Sequence, residues 1–254
     1  MTLAAVICSA LMVTPANAAE WSIGAGAGIA PDYEGSDDYE PIPLWNIKAS
    51  KLYHDDTYVQ IFGTKLNSNL LPHDNIRLGI SGQYIFERDN VDNTQVNRMR
   101  DTDDGFLLGI MAGYDFDLSH GGIFGIEFDA RYDTGGNIGG LYTGRLKYMA
   151  PFGSSWVFSA GAETTYATDD YMDEFFGVDA GNVGTSTLTA YDPDGGFKDV
   201  GLNTSLTYNF SQSWSVTGIA RYTRLIGDAD DSSPITDQGS ENQLLGGLLV
   251  NFRF

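Results

Sequence analysis

The chain has 254 residues, and 14 Lys and Arg against 34 Asp and Glu give it a net charge of −20 at pH 7. The acidity argues against nucleic-acid binding because a phosphate backbone would be repelled, and a hydrophobic fraction of 42% is too high for an acidic disordered chain. The 31 glycines and 13% aromatic residues favour strands and turns over a helical protein.

The first recognisable element is an apolar run at residues 3–13, followed by Thr14-Pro15 and by Ala16-Asn17-Ala18. This arrangement is typical of a cleaved secretory signal peptide. It predicts a signal peptide at 1–18 and one domain at 19–254; the alternative is a buried N-terminal helix. No Lys or Arg precedes the run, which would fit a start codon lying upstream. The single cysteine, Cys8, falls within the signal peptide, so no internal disulfide is expected.

Apolar and polar residues alternate along most of the remaining chain, which is the pattern of strands with two different faces. After residue 20 there is no run of about 18 apolar residues, the length that a transmembrane helix needs. The alternation predicts strands at 21–30, 41–49, 58–65, 76–87, 106–118, 124–132, 142–152, 156–166, 200–210, 214–223 and 244–254.

These strands fit a membrane barrel better than a soluble sandwich. Most are about 10 to 13 residues long, which suits a tilted bilayer crossing and exceeds the usual soluble strand. Aromatic residues on the apolar face near strand ends resemble the interfacial bands of such barrels: Phe152, Trp156, Tyr166, Tyr208, Phe210, Trp214 and Tyr222. The fold prediction is therefore all-β, a transmembrane antiparallel up-and-down β-barrel.

The connections alternate between short and long. Those at 119–122, 153–155 and 212–213 are short, and those at 88–105, 169–196 and 228–242 are long. Short periplasmic turns and long external loops are expected of outer-membrane barrels. Eleven strands are recognised, yet both chain ends on one side require an even number. About 12 strands are predicted, with 10 as the alternative, and a missed strand is expected before residue 76 or within 169–196.

The polar faces of the strands carry charges of both signs, which are costly inside a soluble core unless paired. Inside a barrel they would line the lumen and could cross-link it by salt bridges. The predicted lumen charges are Glu127, Asp129, Arg131, Arg145, Glu163 and Arg221.

The loops hold most of the acidic residues: 24 of the 34 lie within 32–40, 87–104, 169–199 and 228–241. One interpretation is a rim that attracts divalent ions bridging lipopolysaccharide, or cationic solutes; the other is that the carboxylates keep the loops soluble. Fragments of a calcium-loop pattern give weak metal candidates, Asp101, Asp103, Asp192 and Asp194. The full spacing is absent, so turns are preferred.

Sequence signals for catalysis are weak. The three histidines, His54, His73 and His120, lie in or near short connections, and the long loops contain none. Neither G-x-S-x-G nor H-E-x-x-H occurs. A protein without enzymatic activity and without a cofactor is predicted.

The last predicted strand alternates up to a terminal aromatic residue. Val250, Phe252 and Phe254 share its apolar face, and this ending resembles the assembly signal of bacterial outer-membrane barrels. An interaction with the barrel assembly machinery is therefore expected.

Several stretches together resemble the MipA/OmpV family of outer-membrane proteins. The resemblance spans nearly the whole mature chain, and the matching stretches are APDYEGSDDY at 30–39 with PIPL at 41–44, DDYMDEFFGV at 169–178, AYD at 190–192, KDVGL at 198–202, WSVTG at 214–218, RLIGDA at 224–229 and NFRF at 251–254.

The resemblance implies a multi-pass barrel in the outer membrane of a Gram-negative bacterium, in contact with lipid and lipopolysaccharide. It also implies a scaffold that links a membrane-bound lytic murein transglycosylase to a bifunctional murein synthase, so a murein hydrolase and synthase are the expected partners. No catalytic residue is implied. Two alternatives stay open: a narrow, acidic-rimmed pore for small cationic solutes, and a surface adhesin or antigen acting through loops 89–104 and 169–194.

Overall fold

The computed structural model describes residues 19–231 and 233–254, so the predicted signal peptide at 1–18 lies outside the described residues. The described chain forms a closed barrel of 12 antiparallel strands, in which each strand pairs with the next and β12 pairs back with β1. The prediction of an all-β barrel with 12 strands is confirmed.

The strands follow one another around the barrel in chain order. They are β1 Glu20–Pro31, β2 Tyr39–Ser50, β3 Tyr58–Phe62, β4 Lys65–Asn69, β5 Ile76–Ile85, β6 Gly105–Asp117, β7 Ile123–Asp133, β8 Gly140–Phe152, β9 Trp156–Ala167, β10 Gly196–Asn209, β11 Trp214–Leu225 and β12 Asn242–Arg253.

The strand that sequence alternation missed is β4. The prediction of a single strand at 58–65 is wrong: β3 and β4 are separate five-residue strands joined by a turn at Gly63-Thr64. Gly63 has a φ of +53° and open space around its Cα, and glycine in the first turn position suits a two-residue hairpin. Strands this short contain too few alternating positions to be separated by periodicity. The expectation that the missed strand precedes residue 76 is confirmed.

The outward face of the wall is apolar and exposed. Large side chains such as Ile110, Leu202 and Leu248 are 60–63% exposed. A continuous apolar surface around a whole barrel far exceeds the patches of soluble proteins, so this face is suited to lipid. In the described part of the chain, no helix is long and apolar enough to cross a membrane.

Aromatic side chains form bands at both ends of the wall. At the turn end, Trp156 lies between Phe152 and Tyr208, with ring centroids 5.9 and 4.6 Å apart, and Trp214 lies 4.7 Å from Phe252. At the loop end, Tyr166 contacts Tyr142 and Phe197 at 6.2 and 5.7 Å. Amphipathic rings at these two heights match the boundaries of a bilayer.

The long loops fold into a compact cap over one end of the barrel. They contain three helices that strand-period alternation does not reveal: α1 Asp169–Phe176, α2 Ala180–Ser186 and α3 Pro234–Asp237. In α1 two aspartates occupy the first turn, where they complement the helix dipole. Met172 and Phe176 on the same helix are almost fully buried, within a cluster that includes Leu107 on β6 and Leu225 on β11.

A second buried cluster joins four different loops: Tyr33, Val91, Val96, Met99, Val178, Leu188 and Ile235. Hydrogen bonds add to it, as Asp92 N donates to Asp32 Oδ2 at 2.9 Å and Asn93 Nδ2 donates to the Gln238 carbonyl at 2.8 Å. Apolar burial therefore holds these acidic loops together despite their mutual repulsion.

We expect the cap to open at alkaline pH. Burial raises the pKa of the Tyr33 phenol to about 12, and burial also raises that of Tyr171, whereas an unfolded tyrosine titrates near 10. The native cap thus retains protons that the unfolded cap releases, so its stability is full below pH 10 and falls as the pH rises towards 12. Near-ultraviolet circular dichroism and tyrosinate absorbance would follow this opening.

The control is the double variant Tyr33→Phe/Tyr171→Phe, whose cap should persist to higher pH. Opening of the native cap at pH 7 to 9, or an identical pH profile for the variant, would contradict the role of these two phenols.

Candidate functional site: the charged lumen

An ion-pair network crosses the lumen, centred on Glu127 of β7. Its carboxylate accepts hydrogen bonds from Arg77 Nη1 at 2.8 Å and Arg145 Nη1 at 3.0 Å, and also from Lys147. Arg77 extends the network to Asp115 at 2.9 Å. Glu127 is only 3% exposed, so it needs these partners to remain charged.

The network continues through Glu163 of β9 to the other side of the barrel. Glu163 pairs with Arg145 Nε at 3.0 Å and with Arg221 Nη2 of β11 at 2.7 Å. Beside it, Asp129 accepts from Arg131 Nε at 2.6 Å and lies 3.7 Å from Arg145. The structure thus brings all six predicted lumen charges together in one network.

Strand register explains why these pairs form. Glu127 lies directly opposite Arg145 across the β7–β8 ladder, and Arg145 lies directly opposite Glu163 across the β8–β9 ladder. Opposite charges at such positions stabilise antiparallel pairing. The same chain alternation that sends apolar residues to the lipid therefore aligns the charges inside.

The lumen also contains charges that are not among the predicted site residues. Lys198 Nζ lies 2.7 Å from Asp199 Oδ2 and also pairs with Glu34 from the β1–β2 loop. The register shifts between Phe197 and Asp199; such a bulge turns two consecutive residues inward, and regular alternation does not predict that. Lys65 also lines the lumen, and sequence alternation does not predict this because it does not reveal β4.

The network and the cap together obstruct the lumen. Asp129 and Arg131 are 1% and 3% exposed, which is the burial of a packed core rather than the lining of a water-filled channel. Between the network and the cap lies a cavity of about 290 Å³, bordered by Lys65, Arg145, Tyr171, Lys198 and Arg221.

The weak metal candidates are dispersed in the cap. Asp103 accepts from Asn137 Nδ2 at 3.2 Å, and the backbone of Asp194 donates to Asp228 at 2.9 Å. Among the described residues, the structure brings none of Asp101, Asp103, Asp192 and Asp194 into a group of three possible metal ligands.

A different trio of ligand types lies at the turn end of the barrel. His54, Asp56 and Asp74 place one ligand atom each within 4.8 Å of the others. His54 Nδ1 lies 3.4 Å from Asp56 Oδ2. The sequence does not predict this grouping, because the residues come from two separate connections, β2–β3 and β4–β5.

The residues of the predicted assembly signal lie on the lipid side of β12. Val250 and Phe254 are exposed, and Phe252 packs between Trp214 and Phe254. Phe254 N donates to the Trp21 carbonyl at 2.9 Å. The last strand is thereby joined to the first.

We expect neutralisation of the lumen arginines to raise conductance. In Arg145→Gln/Arg221→Gln, Glu163 loses all its cationic partners within 4.0 Å among the described residues, so its carboxylate would draw in water and cations. Single-channel recording in a planar bilayer should show a larger, more cation-selective conductance than the unaltered protein.

The matched control is Arg224→Gln/Arg253→Gln, which removes the same charge from exposed positions. Heat-modifiable gel mobility would confirm that each barrel is folded. Equal conductance of the lumen variant and the control would contradict an ion-pair barrier.

Two solved outer-membrane proteins align with most of this chain. The NanC porin aligns with a TM-score of 0.48 at 12% identity, covering 92% of this chain and 99% of the porin. An outer membrane channel from Pseudomonas putida F1 aligns with a TM-score of 0.46 at 11% identity, covering 95% of this chain and all of the channel.

Sequence comparison gives relatives of nearly the same length. The MltA-interacting protein of Escherichia coli (strain K12) is 25% identical over 252 residues, covering 92% of this chain and 90% of the relative; the protein of the same name from Shigella flexneri matches equally well. The family model described as MltA-interacting protein MipA matches residues 23–254. The chain therefore belongs to the MipA family, as the resemblance predicted.

Proposed function

We propose that this protein is a non-enzymatic outer-membrane barrel that binds a murein-remodelling enzyme, in agreement with the name of its relatives. The observation that carries the proposal is the obstructed lumen: largely buried ion pairs cross the barrel beneath a folded cap. A barrel closed in this way offers its surface to a partner rather than a channel to a solute.

The orientation of the barrel in the outer membrane follows from the difference between its two ends. The apolar belt would contact lipid, the acidic cap would face lipopolysaccharide and its divalent ions, and the short turns would face the periplasm. Export through the signal peptide at 1–18 and insertion by the barrel assembly machinery, with Val250, Phe252 and Phe254 as its signal, complete this proposal.

The longest connections at the turn end are β2–β3 and β4–β5. The two are tied together, because Asn69 Nδ2 donates to the Asp56 carbonyl at 2.8 Å and the Tyr53 hydroxyl donates to the Leu70 carbonyl. Tyr53 is 55% exposed, and tyrosines of this kind are frequent anchors of protein interfaces. We define residues 51–57 and 70–75 as the turn surface.

The turn surface is the place on this barrel where a lytic murein transglycosylase would bind. The other turns, at 118–122, 153–155 and 210–213, are shorter and offer less area. A scaffold also needs a second partner, a murein synthase, whose contact would have to lie beside the first on the same periplasmic side.

The alternatives have less support. A cation pore needs a continuous hydrated path, which the buried network obstructs. An adhesin would act through loops 89–104 and 169–194; these are packed into the cap, and no contact in them favours adhesion over a structural role.

We expect changes on the turn surface to weaken binding of an MltA-type lytic transglycosylase. Tyr53→Ala removes a large exposed ring, and loss of such an anchor commonly costs about 2 kcal/mol or more, close to thirtyfold in Kd. Asp55→Lys reverses an exposed charge. Biolayer interferometry with the folded barrel in detergent would measure both affinities.

Matched controls at the same end of the barrel are Ser154→Ala and Ser211→Lys, which alter the shorter turns. The proposal would fail if the folded barrel bound no such enzyme, and the assignment to the turn surface would fail if Tyr53→Ala and Asp55→Lys bound as tightly as the controls.

A further inference from the structure

The barrel wall has a gap in the half nearer the cap, where β3 and β4 are too short to reach. These strands have five residues each, whereas β2 has 12 and β5 has 10. Pairing of β2 with β3 covers only 46–50 of β2, and pairing of β4 with β5 covers only 65–67 of β4. Above the Gly63-Thr64 turn, residues 39–44 of β2 therefore have no neighbouring strand on that side in the described chain.

The sequence of β2 is adapted to this open edge. Gly63 N donates to the Trp45 carbonyl at 2.9 Å, so the peptide groups of Trp45 face the β3 side. Every second residue of a strand faces the same way, and the next two such positions are Pro43 and Pro41. An unpaired N–H next to lipid costs several kcal/mol, and proline has none. Because neither proline can donate a hydrogen bond to a neighbouring strand, the two prolines keep this edge of β2 unpaired.

The cavity beneath the cap borders this gap. Lys65, the first residue of β4, lies at the lower edge of the gap opposite Gln83 of β5, and both residues line the cavity. A second cavity of about 160 Å³ shares Tyr33 and Glu34 with the first and reaches Phe86, just beyond β5. The cavities thus lie beside the edge of the gap that β4 and β5 form.

The main cavity is cationic although the whole chain is strongly acidic. Its lining includes five cations, Lys65, Arg131, Arg145, Lys198 and Arg221, against three carboxylates, Glu34, Glu163 and Asp199. Lys65 makes no ion pair within 4.0 Å to a described residue, and Arg221 Nε is buried without a hydrogen-bond partner in the described structure. Buried cationic donors without acceptors favour an anionic ligand.

The edges of the gap suit an alkyl chain. Pro41 and Pro43 are exposed on one side. On the other side Tyr84 and Phe86 pack edge to face, with centroids 5.0 Å apart, and Phe86 is 64% exposed. The gap thus has apolar edges towards the lipid, and a cationic cavity of headgroup size lies next to its β4–β5 edge.

We propose that this cavity binds the phosphate or carboxylate headgroup of a single-chain amphiphile that enters from the membrane through the gap between β2 and β5. Lys65 and Arg221 contact the anion, and the alkyl chain lies in the gap between the prolines of β2 and Phe86. This site is separate from the turn surface, which lies at the opposite end of the barrel.

The test uses native mass spectrometry and calorimetry on the delipidated, folded barrel with three probes: dodecyl phosphate, inorganic phosphate and dodecanol. We expect one dodecyl phosphate per barrel, at least tenfold weaker binding of inorganic phosphate, and no stoichiometric binding of dodecanol. Equal affinity for inorganic and dodecyl phosphate would overturn entry from the membrane, and binding of dodecanol as tight as that of dodecyl phosphate would overturn the anion site.

Variants locate the site. Lys65→Gln should weaken dodecyl phosphate at least tenfold, whereas Lys48→Gln, which changes a lysine lower on β2 that lies over the Tyr58 ring, should not. Gln83→Glu places a carboxylate opposite Lys65 and should compete with the ligand, which gives a second test that removes no cation. Unchanged affinity in folded Lys65→Gln and Gln83→Glu would overturn the proposal.

Discussion

The constraint on which this structure depends is the absence of water beside the backbone. In a lipid environment every N–H and C=O must be paired within the protein, so the strands must close on themselves. The β1–β12 ladder meets this need, with eight residue pairs in register. Where the wall is incomplete, Pro41 and Pro43 remove the donors that would otherwise face lipid unpaired. The closed barrel and the proline-containing edge of β2 thus both follow from the need to avoid unpaired backbone groups in lipid.

The same alternation that produces the apolar outer face concentrates charge inside. Glu127, Arg145 and Glu163 occupy directly opposed positions on consecutive strands, so burial and pairing arise together. The ion pairs hold these side chains in place across the lumen, and they obstruct a water-filled path along it.

The cap shows how an acidic chain can still build a core outside the membrane. Its loops carry most of the 34 acidic residues of the protein, yet Phe176 and Ile235 are fully buried. The carboxylates remain at the surface while the apolar side chains between them pack together. The cap covers a cationic cavity, so the sign of the charge changes between the outer surface and the interior. Net charge alone would have suggested a site for cations.

The sequence by itself determined the fold class and most strand positions, because alternation with period two is local and each face meets a different solvent. It limited the strand number to about 12, with 10 as the alternative. It also identified six of the charges of the central network, since they lie on the polar faces of long, regular strands. Only the tertiary structure decided the rest. It placed the split at Gly63 and the bulge that turns Lys198 inward, which depend on irregular backbone. It also brought Lys65 and Arg221 to the same cavity, which depends on contacts distant in sequence. These features create the gap and the cavity, and a local sequence pattern does not predict them.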